Sequence, residues 1–442
     1  MPELPEQVNT VLRRLRDAGC AAYAVGGCVR DRLMGMTPKD YDVATAALPA
    51  QTAAVFAGEK LIETGMKHGT VTVLLRGMPI EITTFRVDGS YTDARHPDAV
   101  AFTPSLTEDL ARRDFTVNAM ALGEDGAVID PFGGEADLAA GVIRCVGDPD
   151  ERFKEDALRI LRALRFASVL GFAVEGETAD ALRRNRERLK RISAERVAEE
   201  LCKLICGRDV KRVLLTYAET LGAVLPELLP MRGFDQRNRH HIYDVLEHTA
   251  VAMEHVPPEP VLRWAALLHD SGKPACFTLD AKGEGHFYGH PKESARIADA
   301  ALRRLRLDTA TREQAVLLVQ YHDTQIEPTE KAVRRALNKY GPEALFRLLM
   351  LKRADNLAQS PEYRERLAQC DAVERLARDI LARKDCFSRK DLAVRGGDLI
   401  AAGVAPGPAL GAALQTLLDA VIDGRAENER DALLRFWKEN KE

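Results

Sequence analysis

The sequence predicts an α+β fold: a small mixed-sheet head followed by an all-α remainder. Runs with period-two alternation are confined to the chain before Asp150, and from there on apolar residues recur at helical spacing. The histidines mark a further boundary, since eight of the ten lie between His240 and His322. A length of 442 residues leaves room for several domains at about 150 residues each. The division read from these shifts is a head over 1–149, a helical neck over 150–215, a helical body over 216–384 and a helical tail over 385–442. With 46% hydrophobic residues, core formation is not limiting.

The head opens with an amphipathic helix over residues 5–19, then a buried strand, Ala21–Val25. Gly26-Gly27 breaks the strand, and Val29–Leu33 reads as a helix starting directly behind it. Glycines let backbone N–H groups approach an anion, and a helix start favours negative charge. Asp40-Tyr41-Asp42 follows. A strand at Tyr41 puts Asp40 and Asp42 on one face, where two carboxylates suit Mg²⁺ that also shares substrate phosphates. Alone, a Gly-Gly pair is a turn and a D-x-D a capped loop; the combination is far rarer. Thr70–Leu75 and Pro79–Arg86 read as strands joined at Arg76-Gly77-Met78, extending the sheet that carries the aspartates. Glu81 is either a third carboxylate or a solvent-facing strand residue, the second being preferred. Asp88–Val100 has the composition of an exposed loop. A helix start at Ser105–Asp109, the basic pair Arg112-Arg113 and the turn Asp130–Gly134 complete the head.

GGCVRD followed by DYD resembles the head motif of class II tRNA nucleotidyltransferases and bacterial poly(A) polymerases, within the polymerase-β-like superfamily. Further blocks follow in that family's order: RRDFTVNAM, DPFGG, EDALR and ISAER. The resemblance implies a polymerase-β-like nucleotidyltransferase head in which Asp40 and Asp42 hold two Mg²⁺ ions. It also implies that Gly27, Arg30, Arg113, Arg162 and Arg165 bind the triphosphate and ribose. The loop before RRDFT matters in the family for the switch between nucleotides, and its full length here argues against a CC-adding specialist.

In the neck, Phe153, Leu158, Leu161, Leu164 and Phe166 read as the core face of one helix. Asp156 and Arg159 are i and i+3 on its polar face, continued by Arg162 and Arg165. Such a pair is ordinarily a surface salt bridge, but EDALR matches the family's base-recognition block, and the chemistry suits that role. Cytosine and adenine both present an exocyclic NH₂ beside a ring-nitrogen acceptor, which a carboxylate and a guanidinium satisfy together. Guanine and uracil reverse that order and leave buried polar groups unpaired, so one pair accepts C and A without a template. Ile192–Arg196 reads as a structural helix cap.

In the body, HTAVAM, LLHDSGK, GHPKESA, VQYHD and KRADN place His248, His269, Asp270, His290, His322 and Asp355 at the spacing of an HD-type metal-dependent phosphohydrolase. Imidazole and carboxylate ligands suit Mn²⁺, Fe²⁺, Ni²⁺ or Zn²⁺. The tail resembles that of the Gram-positive type of these enzymes, where it helps hold tRNA.

Net charge is −4, yet residues 151–215 carry 16 Lys and Arg against 11 Asp and Glu, which reads either as a solvated helical face or as a phosphate-binding surface. The eight cysteines form no CxxC pair, as expected of a reducing compartment, and no run has signal-peptide or membrane-spanning character. The expectation is a cytoplasmic CCA-adding enzyme that uses ATP and CTP on tRNA, held at its acceptor end and elbow, with no membrane partner. The alternatives are a poly(A) polymerase or A-adding specialist of the same family, and an HD phosphohydrolase whose head only docks RNA.

Overall fold

Alternating β-branched and apolar residues build a seven-stranded mixed sheet in the N-terminal part of the computed structural model, which describes residues 4–88 and 100–440. Its strands are β1 (Ala22–Val25), β2 (Asp42–Thr45), β3 (Lys60–Ile62), β4 (Thr70–Leu75), β5 (Met78–Thr84), β8 (Ala121–Leu122) and β9 (Val128–Ile129). A separate two-stranded ladder pairs β6 (Arg86–Asp88) with β7 (Val100–Phe102). The sheet order is β3-β4-β5-β2-β1-β8-β9, and only the β2–β5 pairing is parallel. Between β4 and β5 the turn residues Arg76 and Gly77 both take positive φ, +49° and +84°, the geometry a two-residue hairpin favours. The long loop expected over Asp88–Val100 lies, apart from its two end residues, outside the described residues.

One sheet face is closed by the helix Glu6–Asp17, which inserts Val8, Leu12 and Leu15 against Ala24, Val43, Val73 and Ile80. The other gathers Val25, Ala44, Phe85, Leu110 and Ala121. With both faces filled, the ends of β1 and β2 are fixed. There Val25 pairs with Asp42, which sets the glycine turn beside the aspartate.

The chain divides into two compact units, residues 1–229 and 230–442. Head and neck belong to the first. The single helix expected from Phe153 to Phe166 is in fact two, Pro149–Glu155 and Leu158–Leu170. Asp156 is extended (φ −139°, ψ 104°) and its carboxylate accepts the Leu158 N–H at 3.0 Å. A short polar side chain that bonds the backbone two residues on competes with helix continuation. In the second unit, helices Val245–Glu254, Pro260–Leu268, His290–Arg304, Thr309–Tyr321 and Pro342–Leu357 surround a buried core that includes Trp264, Leu268 and Leu318. The C-terminal helices close their own cluster around Leu392, Leu399, Leu417 and Leu433. Among the described residues, no helix is long and apolar enough to cross a membrane.

Candidate active sites

The sheet ends and the neck enclose a cleft of ≈ 860 Å³ whose walls include Gly26, Gly27, Arg30, Asp40, Asp42, Arg113, Asp156, Arg159, Arg162 and Arg165. Every head and neck residue expected from the sequence is therefore in one place. The stated reason for Asp40 and Asp42 sharing a face needs correction. β2 begins at Asp42, so Asp40 and Tyr41 precede the strand, and it is the approach to the strand that brings Asp40 to the cleft. Desolvation raises the Asp42 carboxyl above the ordinary range, Glu81 and Asp40 push it the same way, and Arg113 opposes them. Glu81 is exposed, as preferred from the sequence, but it stands directly across from Asp42 in the parallel register. Such crowding of like charge in the cleft is what a divalent cation relieves, so this donor set fits one.

The steric demand at the turn falls on Gly26. Its φ is +75°, and a Cβ there would lie 2.9 Å from Arg113 Nη1. Gly27 opens the following helix, Gly27–Leu33. Arg113 is steered by Asp109 Oδ2 at 3.3 Å, while Arg112 pairs with Asp109 Oδ1.

Phe166 organises the other wall. Its ring lies under the guanidinium groups of Arg165, Arg30 and Arg162, at 4.1, 5.0 and 5.7 Å. Arg30 donates to Asn118 Oδ1 (2.7 Å), Arg162 to Asp114 Oδ2 (2.7 Å), and Arg165 pairs with the buried Glu200 at 3.1 Å. Burial alone would raise the Asp114 carboxyl, but Arg162 and Asn118 override it and hold it at about 2. Desolvation lowers the Arg165 guanidinium from its ordinary value.

At the helix break, Asp156 Oδ2 accepts from Arg196 Nη2 at 2.8 Å. Arg159 is buried and donates to the carbonyls of Arg112 (3.1 Å) and Arg152 (3.2 Å) and to Glu155. The base-reading candidates are thus held by separate partners. Asp114, Asn118, Arg196 and Glu200 were not singled out from the sequence. The first three sit inside the quoted blocks RRDFTVNAM and ISAER, but their partners are 40 to 88 positions away, beyond the reach of local spacing.

In the second unit all six expected ligands converge. Among the described residues, His248, His269, Asp270 and Asp355 form one group of candidate ligand atoms within 4.8 Å, and Asp270, His290 and His322 form another. Asp270 belongs to both: Oδ2 faces His248 (3.2 Å) and His269 (3.3 Å), and Oδ1 faces His290 (3.4 Å) and His322 (3.7 Å). Each imidazole uses Nδ1 on a backbone carbonyl, His248 on Ala358, His269 on Ala266, His290 on Phe287 and His322 on Val319, at 2.7 to 3.2 Å. That assigns the proton to Nδ1 and leaves the Nε2 lone pairs pointing inward. They meet tip to tip, His248 with His269 at 3.3 Å and His290 with His322 at 3.2 Å. Between neutral rings these opposed lone pairs repel, and a cation among them would remove the conflict. Burial pushes His322 down to about 3 and so keeps it neutral. At the other pair burial is outweighed by Asp270 and Asp355, which raise His248 and carry His269 up to about 10, so these two imidazoles hold protons against the carboxylates until a cation displaces them. Lys273, 2.7 Å from Asp270 Oδ2, is buried beside the cluster and was legible only as the last letter of HDSGK.

A mixed sheet with paired aspartates at a glycine turn, backed by an arginine-lined helical wall, defines the nucleotidyltransferase class. Family models match as "Poly A polymerase head domain" over residues 22–144 and "Probable RNA and SrmB- binding site of polymerase A" over 171–231. A third, "tRNA nucleotidyltransferase domain 2 putative", matches over 292–437. The CCA-adding enzyme of Limosilactobacillus fermentum is 34% identical over 98% of this chain and 97% of its own length. That of Geobacillus stearothermophilus is 35% identical over 97% and 95%. The chain belongs to the CCA-adding enzyme family. The crystal structure of the Bacillus stearothermophilus CCA-adding enzyme in complex with CTP superposes with a TM-score of 0.73 at 32% identity, covering 98% of this chain and 96% of that one. The Thermotoga maritima CCA-adding enzyme complexed with tRNA shares the fold at a TM-score of 0.58 and 21% identity, covering 99% and 96%.

Proposed function

We propose that this protein completes and repairs the 3′-terminal CCA of tRNA from CTP and ATP, with Asp40 and Asp42 holding Mg²⁺ in the head cleft. The reaction joins the tRNA 3′-oxygen to the nucleotide α-phosphorus, and pyrophosphate departs. Magnesium bound there supplies Lewis acidity toward the attacking hydroxyl and the departing phosphates. The chain's own residues do the rest. Arg30, Arg113, Arg162 and Arg165, beside Gly27, bind the triphosphate and ribose. Asp156 accepts from the exocyclic amino group of C or A, and Arg159 donates to the adjacent ring nitrogen. The head, neck, body and tail divide these tasks as read from the sequence, with neck and tail holding the tRNA at its acceptor end and elbow in the cytoplasm. The observation that carries the reading is that paired carboxylates, glycine turn, arginines and base readers share one cleft. A tRNA lacking CCA, given CTP and ATP together, should gain three nucleotides and stop. A long A tail, or no addition, overturns the assignment.

The converging imidazoles support a second activity, an HD-type phosphohydrolase in the body, active on phosphate esters at RNA ends. Transition metals such as Mn²⁺, Ni²⁺ or Fe²⁺, held by His248, His269, Asp270 and Asp355 and by Asp270, His290 and His322, would acidify a bound water. In the hydrolysis the water oxygen bonds to phosphorus, the P–O ester bond breaks and the alcohol leaves with a proton. A tRNA end blocked by phosphate has no free 3′-OH, so this activity would prepare substrate for the head. With Mn²⁺, Ni²⁺, Co²⁺ or Mg²⁺ the wild type should hydrolyse model phosphoesters and phosphate-blocked tRNA ends. No hydrolysis with any of them overturns the second activity.

A further inference from the structure

Beside the imidazole cluster, and continuous with it, lies a cleft of ≈ 340 Å³ lined by Asp270, His290, His322 and Asp355. On its rim His286 and Tyr288 stack face to face, ring centroids 5.4 Å apart and planes inclined by only 10°. Tyr288 is 79% exposed, the barest large hydrophobic side chain among the described residues. Its ring partner is His286, and His286 itself is anchored. His286 ends the short ladder Thr278–Leu279 with Gly285–His286, and its Nε2 is 3.3 Å from Asp280 Oδ2. The same Asp280 caps the ladder's turn through the N–H groups of Lys282 and Glu284, at 2.8 and 2.9 Å. The ladder is seated on the unit's own backbone, with the Gly285 N–H on the Arg237 carbonyl at 2.8 Å. A Cβ at Gly285 would fall 2.3 Å from the Gln236 carbonyl oxygen, so this close approach requires glycine. Tyr288 therefore lies parallel to His286 with most of its ring surface open, and it stands two residues before the cluster residue His290. Arg366 lines the same cleft, exposed and with no ion-pair partner among the described residues.

We infer that Tyr288, stacked on His286, is a base-stacking platform that makes the second site selective for nucleotide phosphate esters, with Arg366 the cation that meets the phosphate. This rests on the hydrolase reading of the body. A rigid aromatic face reads the π-surface of any base without regard to sequence, which suits an enzyme that must accept whichever nucleotide ends a broken RNA. The guanidinium contributes charge-assisted hydrogen bonds to phosphate oxygens. Together they favour a nucleotide over a phosphate ester that lacks a ring.

The test uses the full-length Mn²⁺-loaded protein, with adenosine 3′-monophosphate and glycerol phosphate as competing substrates. In Tyr288→Ala the ratio of kcat/KM for the nucleotide to that for glycerol phosphate should fall about tenfold, as expected for loss of one stacked base. Tyr288→Phe should retain it. Calorimetric binding of adenosine 3′-monophosphate, with the head saturated by CTP, should weaken about tenfold in Tyr288→Ala. A 3′-phosphorylated oligoribonucleotide assayed beside the mononucleotide distinguishes an RNA end from a free nucleotide. An unchanged ratio with unchanged binding, or wild type that does not bind the nucleotide, overturns the platform. Binding that behaves as expected without turnover of either ester overturns the hydrolase reading alone.

Discussion

Asp156 can read a base only if its carboxylate is aimed, and two contacts aim it: the Leu158 N–H on Oδ1 and the Arg196 guanidinium on Oδ2. Arg196 is accordingly a positioning residue. Asp156→Ala should relax base choice as well as slow addition, and Arg196→Ala should relax it in the same direction while retaining more rate. Arg113→Ala, which on the proposed reading removes a phosphate partner, should weaken all nucleotides alike. Steady-state incorporation of CTP, ATP, UTP and GTP separates these outcomes. If Asp156→Ala rejects UTP and GTP as well as wild type does, the donor–acceptor pairing is wrong. Asp114 supplies a test by pH. Its folded pKa, about 2, lies below the ordinary 3.8, so its stabilising contribution is complete above about pH 4 and is lost as pH falls toward about 2. The shift corresponds to about 2 kcal/mol. Denaturant melts from pH 5 downward should show Asp114→Asn losing less stability over that window than wild type, from a lower starting value.

The elements show where sequence reading works and where it stops. The β1 strand, glycine turn and helix behind it were legible because glycines interrupt an apolar run, and the β4–β5 hairpin because its strands alternate. The imidazole cluster was legible because each ligand sits in a recognisable block. The break at Asp156 was not: EDAL contains neither glycine nor proline, and the cause is a side chain turning back on its own backbone. Phe166 read as one more core residue, since spacing cannot show that three guanidinium groups, one of them on another element, stack on its ring. Phe166→Ala should therefore do two things. It should lower stability by about 3 kcal/mol, as for a buried aromatic, and raise KM for CTP and ATP together because all three arginines lose their common support. Phe166→Leu should restore most of the stability and less of the KM. Thermal melts beside nucleotide titrations check both halves, and a variant with wild-type KM values would reduce Phe166 to packing.

At the scale of the molecule, the cleft proposed for nucleotidyl transfer belongs to residues 1–229 and the imidazole cluster to residues 230–442. Among the described residues each site is built within its own unit, so the two chemistries should separate by mutation. Asp40→Ala or Asp42→Ala should abolish incorporation of both CTP and ATP with a native-like melt, and should leave phosphoester hydrolysis in place. The paired change His269→Ala with Asp270→Ala should do the reverse on a tRNA with a clean 3′-OH. Metal content gives the sharper reading, because among the described residues Asp270 alone belongs to both candidate ligand groups, Oδ2 toward one and Oδ1 toward the other. Elemental analysis after saturation with Mn²⁺ and desalting should find the body's bound metal reduced by one ion in Asp355→Ala. His322→Ala should lose one ion from the other position, and Asp270→Ala should lose both. Removing a carboxylate from between four lone pairs also removes the negative charge that holds the cations. Asp270→Asn, which keeps the shape and one acceptor oxygen, should therefore still bind less metal than Asp355→Ala. If Asp270→Asn retains the full complement, the bridging role is wrong and the imidazoles serve a single ion.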